Sequence, residues 1–195
     1  MNTKSSSGAP GAAKLADGRI VLANGGTGQV RVYASDGTWL ASHGRKGEGP
    51  GEFQMPALAG RLGGDTLLVV DVQLRRISRL HPDAGFLGSA PVSDQVGGAL
   101  YPQGVFQGGA VMVGGGFYWS GHAGDQLADG YTRPPTSYRS VSPEGGLAVD
   151  FGEFPGSEFF MKTRTAPGGH MTMAARLIPF GRHPMATVGP RRFLF

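Results

Sequence analysis

The residue types that most often carry acid–base or metal chemistry are sparse in this chain and follow no catalytic spacing. No two histidines lie three or four residues apart, as two ligands on one helix face would, and no HExxH motif occurs. The histidines are His43, His81, His122, His170 and His183. The chain contains no cysteine, which excludes disulfides, thiolate metal ligands and cysteine nucleophiles. From these residues we expect no catalytic site, no metal site and no cofactor, although a metal site assembled in space stays open.

Three aspartates could be taken for catalytic acids, but each lies where turn chemistry explains it better. Asp36 and Asp83 recur at matching places in short Gly-containing turns, where an aspartate hydrogen-bonds the backbone two residues on. Asp71 ends an apolar run, and Asn24 ends the corresponding run before it. Such side chains cap neighbouring backbone amides. Hydrolase and nucleotide-binding signatures, G-x-S-x-G and G-x-x-x-x-G-K-[ST], do not occur.

Two sets of residues are candidates for binding a ligand. One is a set of charged loop residues, for which solvated loop charges are the better explanation. Its members are Arg45, Lys46, Glu48, Glu52, Arg75 and Arg76. The other is the aromatic cluster Phe117, Tyr118 and Trp119, which opens a long Gly-rich segment. Aromatic residues in a long loop either anchor a ligand or partner or cover the edge of a sheet.

The elements that must position these residues are short strands. The 35 glycines and 14 prolines punctuate runs of Val, Ile, Leu and Phe, which is typical of a turn-rich all-β fold. A four-strand unit is expected at Gly11–Ala16, Arg19–Asn24, Gln29–Ala34 and Thr38–His43. It repeats from Ala57: Gly18 and Gly64 lie 46 residues apart, and Asp36 and Asp83 lie 47 apart. This period, near ~40–50 residues, is that of four-stranded propeller blades.

We therefore predict a β-propeller of four-stranded antiparallel blades, with about three and a half blades present. The predicted order is a polar lead 1–10, a blade 11–56, a blade 57–102, a blade 103–152 with an insertion 115–136, an irregular segment 152–179 and an incomplete blade 180–195. Ending on Arg192–Phe195 would leave an open strand edge, which favours self-association. We expect a segment of a longer chain; the alternative is two copies that complete each other.

The segment His43–Pro56, HGRKGEGPGEFQMP, resembles the linker between successive NHL repeats. In that family a G-x-G-x-G-x-F-x-x-P run carries the chain from the outer strand of one blade to the centre of the next. The matching residues are Gly44, Gly47, Gly49, Gly51, Phe53 and Pro56. The resemblance covers residues 11–91. It implies part of a six-bladed ring, similar to bacterial propeller proteins that reach the periplasm or the cell surface.

Charge and hydropathy narrow the expected partners. The net charge is +4, but the basic residues are spread along the chain in no group larger than a pair, which disfavours nucleic acid. No apolar run approaches the ~20 residues that span a bilayer.

The leading prediction is a non-enzymatic module that binds a protein, peptide or glycan. The alternative is a metal-dependent hydrolase or lyase with its site in the central channel, as in gluconolactonase-like or amidating-lyase propellers. Lys14 and Arg61, on the expected inner strands, are poor metal ligands.

Overall fold

The computed structural model describes residues 11–98, 100–114, 129–165, 171–177, 187–188 and 193–194. Within these ranges the chain is all-β apart from one 3-10 turn, Asp94–Val96. The first sheet contains β1 (Ala12–Lys14), β2 (Ile20–Asn24), β3 (Gln29–Tyr33) and β4 (Trp39–His43). The second sheet contains β5 (Pro56–Leu62), β6 (Thr66–Asp71), β7 (Arg76–His81) and β8 (Gly85–Pro91). In both sheets the strands are antiparallel and lie in sequence order, as the repeat predicted.

The third sheet has the same plan, but the chain leaves it once. Its strands are β9 (Pro102–Val105), β10 (Val111–Gly114), β12 (Pro135–Val141) and β13 (Leu147–Pro155), in the spatial order β13-β12-β10-β9. The strand in between, β11 (Gly130–Thr132), pairs elsewhere. The predicted insertion 115–136 is therefore only partly a loop, because β11 and the start of β12 lie within it. Residues 115–128 lie outside the described part of the chain.

The segment 152–179, predicted to be irregular, is the largest error of the sequence analysis. It contains the end of β13, then β14 (Phe159–Thr165) and β15 (Met171–Leu177). These two strands and β11 form a three-stranded antiparallel sheet, here called the small sheet. Three adjacent apolar residues at 159–161 hide the two-residue alternation of β14. Its partner β11 comes from a segment expected to be a loop, so no local sequence pattern predicted the small sheet.

Two further strands lie in the predicted incomplete blade. They are β16 (Thr187–Val188) and β17 (Phe193–Leu194), which pair antiparallel. The first strands of successive sheets are neighbours in space: β1 contacts β5, β5 contacts β9, and β9 contacts β16. Each of these sheets therefore begins next to the first strand of the preceding sheet.

The core lies between the faces of the sheets. In β6, Leu67 and Val69 pack in a cluster with the first sheet, whereas Leu68 and Val70 pack in a cluster with the third sheet. All four side chains are fully buried. Burying such an aliphatic side chain stabilises the fold by about 1.5–3 kcal/mol. The second sheet is thus covered on both faces, which explains why β6 is a continuous apolar run rather than an alternating one.

In the part of the chain that the structure describes, no helix has the length and apolar character required to cross a membrane.

Candidate functional site

The loop that joins β4 to β5, residues 44–55, carries most of the predicted charged binding residues. It folds back on itself: Lys46 and Phe53 form a parallel bridge, and the amide of Phe53 donates to the carbonyl of Arg45 at 2.8 Å. The Phe53 ring is fully buried in the cluster between the first and second sheets. Gly28 of the β2–β3 turn lies against this loop with φ +65, where a Cβ would stand 2.5 Å from the carbonyl oxygen of Phe53.

Asp71, at the end of β6, fixes the end of this loop. Its carboxylate is buried and accepts four backbone amides. The donors are Gln54 at 2.7 Å, Met55 at 3.2 Å, Gln73 at 3.1 Å and Leu74 at 2.9 Å. The predicted capping role is confirmed for the two local amides. The two donors from the loop 44–55 lie 16 and 17 residues away in the sequence, so no local pattern could reveal them.

Arg76, at the start of β7, holds the middle of the same loop. Its Nη1 donates to the carbonyl of Glu48 at 2.8 Å, and its Nη2 donates to the carbonyl of Gly49 at 2.9 Å. A third bond joins Nη2 to the carbonyl of Glu52. These bonds commit the guanidinium, which is half-buried, to the protein's own backbone. Arg76 therefore has a structural role that explains its position without a ligand.

The other charged candidates also make internal contacts. Arg45 forms an ion pair with Glu52 at 2.6 Å, and the Lys46 ammonium donates to the carbonyl of Gln54. The amide of Gly49, followed by the Arg45 guanidinium, lowers the pKa of Glu52. The structure brings Arg45, Lys46, Glu48 and Arg76 together around one loop. Arg75 points elsewhere and donates to the carbonyl of Gly98 at 3.1 Å. Ligand binding by any of these residues stays a prediction.

The two aspartates predicted to act in turns behave differently. Asp36 Oδ1 accepts the amide of Thr38 at 2.9 Å, which confirms the turn prediction. The Asp83 carboxylate instead accepts Nη1 and Nη2 of Arg19, at 2.6 and 3.1 Å. Arg19 is 64 residues away in the sequence and also pairs with Asp17. Asp83 therefore links the second sheet to the first.

This link predicts an acid-sensitive contribution to stability. The Arg19 guanidinium lowers the pKa of Asp83. A carboxylate with a lowered pKa stabilises the fold above its unfolded pKa of about 4 and loses that contribution as the pH falls through its folded pKa. Asp83→Asn should lower the melting temperature at neutral pH, and the gap from wild type should shrink below about pH 4. Thermal unfolding followed by circular dichroism measures both.

Glu144→Gln, at an exposed turn of the third sheet, is the matched control and should leave the melting temperature unchanged. A gap between wild type and Asp83→Asn that stays constant down to acid pH would show that the Arg19–Asp83 pair does not stabilise the fold.

The described histidines have structural partners, as expected for histidines at strand ends. His43 Nε2 lies 2.6 Å from the carbonyl oxygen of Pro82, and His81 Nδ1 accepts the amides of Asp83 and Ala84 at 3.2 and 3.4 Å. Among the described residues, no group of three or more His, Asp or Glu side chains is placed to hold a metal ion. His122, His170 and His183 lie outside those residues.

One face of the small sheet exposes an aromatic pair that the sequence analysis missed. Tyr131 of β11 and Phe160 of β14 are register partners, with ring centroids 5.3 Å apart and planes inclined at 73°. Tyr131 is 81% exposed and Phe160 42% exposed. One step along the same face, Lys162 and Asp129 form an ion pair at 2.6 Å. The predicted aromatic cluster, Phe117, Tyr118 and Trp119, lies outside the described residues.

Comparison with known proteins yields a likeness in fold only. No family model matches the chain, and no curated protein matches it. Among solved structures it is similar to a protein of Bacteroides fragilis NCTC 9343 described as a "putative exported protein", with a TM-score of 0.52 and 14% identity. The match covers 89% of this chain and 52% of that one, so this chain spans about half the length of that protein.

Proposed function

We propose that this chain is part of a β-propeller of the NHL-repeat kind and acts as a non-enzymatic module that binds a protein, peptide or glycan. The observation that carries the binding role is the exposed Tyr131–Phe160 pair on the small sheet. Adjacent exposed apolar side chains indicate a candidate interaction surface, and aromatic residues are enriched among the anchors of binding surfaces. A paired, strand-borne ring is also held in a fixed orientation, which reduces the entropy lost on binding.

The stacking of the sheets supports the propeller. In a propeller, four-stranded sheets pack face to face around a central channel, and each begins at the centre. The two-sided burial of β6 and the succession of neighbouring first strands, β1, β5, β9 and β16, fit this arrangement. The small sheet takes β11 from the segment between β10 and β12 and takes β14 and β15 from the chain after β13, so it is an addition to the four-stranded plan.

The loop 44–55 supports the NHL resemblance. In such repeats a glycine-rich linker with an inserted phenylalanine joins one blade to the next. Here Phe53 is buried between two successive sheets, and Gly44 lies so close to its ring that a Cβ would stand 2.6 Å away. The buried Asp71 and the Arg76 guanidinium bind the same loop. These charged groups serve to join sheets, which leaves the aromatic face as the better candidate for a ligand.

We also propose an exported location for the protein. The support is the structural neighbour, which is described as a putative exported protein. A module outside the cytoplasm would meet the surface proteins, peptides and glycans that the proposed binding role requires.

The binding role is tested with defined libraries. The purified chain is applied to a glycan array and to a displayed peptide library, alongside the double variant Tyr131→Ala/Phe160→Ala. We expect selective hits in one library and their loss, by about tenfold or more in signal, in the double variant. Circular dichroism and melting temperature should match wild type, since both side chains are exposed.

The control is Trp39→Ala, which removes another exposed aromatic side chain on β4, in the first sheet. It should retain every hit. Suppose that selective hits persist in the double variant but are lost in Trp39→Ala. The binding surface would then be assigned to the first sheet and not to the small sheet. An absence of selective hits in both libraries would overturn the binding role.

A further inference from the structure

Among the described residues, the small sheet exposes an aromatic cross-strand pair and, beside it, an ion pair. Tyr131 lies opposite Phe160, and Gly130 lies opposite Met161. Asp129, which directly precedes β11, forms its ion pair with Lys162, two residues beyond Phe160 on β14. Residues two apart on a strand are separated by about 7 Å. The aromatic pair and the ion pair therefore form one continuous platform, apolar at one end and polar at the other.

At the start of β14, successive side chains alternate between inside and outside. Phe159, adjacent to Phe160 on β14, is only 4% exposed, whereas Phe160 and Lys162 are both exposed. This alternation assigns the platform to the solvent side of the sheet. The exposure of Phe160 and Lys162 therefore follows from strand geometry, and the pairing of β11 with β14 holds Tyr131 beside Phe160.

The size of the platform limits what it can bind. Two rings and one ion pair offer far less surface area for burial than the ~800 Å² per partner that a stable protein–protein interface buries. The neighbours in β11, Gly130 and Thr132, add no large apolar side chain to it. A small ligand with one apolar face fits this surface better than a folded protein.

The chemistry of the platform matches a pyranose ring. The flat face of a pyranose with equatorial substituents presents C–H groups that pack on aromatic rings, and its rim carries hydroxyls. The Lys162 ammonium can donate to a hydroxyl oxygen, and the Asp129 carboxylate can accept a hydroxyl proton. Because the two charges form a pair, they add no net charge to the platform, which favours an uncharged sugar over an acidic one.

We propose that the platform of Tyr131, Phe160, Lys162 and Asp129 binds a neutral, equatorially linked glycan, with a sugar ring on the face of Tyr131, which Phe160 contacts at an inclination of 73°, and its hydroxyls on the ion pair. This assignment rests on the proposed binding role and narrows its ligand to one class. A β-1,4-linked glucose chain presents such flat faces and serves as the probe.

The test is titration of the purified chain with cellohexaose, followed by calorimetry and by tyrosine fluorescence. We expect saturable binding, weakened about tenfold or more by Tyr131→Ala and several-fold by Lys162→Ala. Maltohexaose, which has the same sugar in a different linkage, should bind more weakly. Trp39→Ala, on the first sheet, should bind cellohexaose like wild type.

Two results would overturn the glycan assignment. One is no saturation with cellohexaose at concentrations up to about 10 mM, which corresponds to a free energy of binding too small for a specific site. The other is binding that Tyr131→Ala leaves unchanged. If peptides from the displayed library bind and require Tyr131, the binding role stands and the ligand class is wrong. A dimer in sedimentation that Tyr131→Ala dissociates would assign the platform to a second copy of the chain instead.

Discussion

Asp71→Ala is expected to be among the most destabilising single changes in this chain. The buried Asp71 carboxylate accepts four amides, two from its own turn and two from the end of the loop 44–55. A hydrogen bond to a charged group contributes about 1.5–3 kcal/mol, and buried donors left without an acceptor add their desolvation cost. We expect a loss of about 4 kcal/mol or more in the free energy of unfolding, measured by urea denaturation.

Asn24→Ala is the matched control, because Asn24 ends β2 as Asp71 ends β6. Its side-chain oxygen accepts only the amides of Gly26 and Thr27, at 3.0 and 3.3 Å, in a more exposed turn. We expect a loss of about 1 kcal/mol. Asp71→Asn keeps the size of the side chain but turns an NH₂ group toward backbone donors, so its effect should fall between the two. Equal losses for Asp71→Ala and Asn24→Ala would show that the loop 44–55 does not depend on Asp71.

Phe53→Ala should destabilise the protein by about 3–5 kcal/mol, the usual cost of deleting a fully buried aromatic ring. Phe53 packs with Val30 and Val32 of the first sheet and Leu67 and Val69 of the second. Its loss therefore opens a cavity between two sheets, and it also removes the buried side chain that anchors the loop 44–55 between them. Thermal and urea unfolding measure the change.

Leu87→Ala provides the comparison for this change. Leu87 lies on β8 and is 51% exposed, so its truncation should change the stability by less than about 0.5 kcal/mol. Phe53→Leu refills part of the cavity and should recover part of the loss. If Phe53→Ala is no more costly than Leu87→Ala, the first and second sheets do not depend on this ring for their packing.

The residues that carry the fold differ in how far their partners lie along the chain. Asp36 bonds an amide two residues away, and the sequence alone identified its role. Asp83 occupies the matching place in the next repeat, yet its carboxylate binds Arg19 of a different sheet. The two turns differ in sequence, because Asp36 is followed directly by Gly37 and Asp83 by Ala84, but neither local pattern identifies Arg19 as a partner. The difference arises from the packing of neighbouring sheets.

In the candidate site, too, the sequence identified residues but not the partners that they contact. Arg45, Lys46 and Arg76 were identified by their charge and loop position, but charge does not reveal that Arg45 pairs with the Glu52 carboxylate or that Lys46 and Arg76 donate to carbonyls of the protein's own backbone. Tyr131 and Phe160 stand 29 residues apart in segments without a clear repeat. Their juxtaposition depends on the pairing of β11 with β14, and long-range pairing of this kind leaves no periodic signal.

By itself, the sequence determined the four-stranded sheets and their antiparallel order. The reason is that Gly-containing turns and alternating apolar residues act within a few residues of each other, where φ/ψ preferences and side-chain direction suffice. Only the tertiary structure decided how Asp71, Arg76 and Asp83 join elements distant in sequence, and that a small sheet exposes Tyr131 beside Phe160. Those contacts are set by which surfaces bury one another, and burial is a property of the whole packed chain.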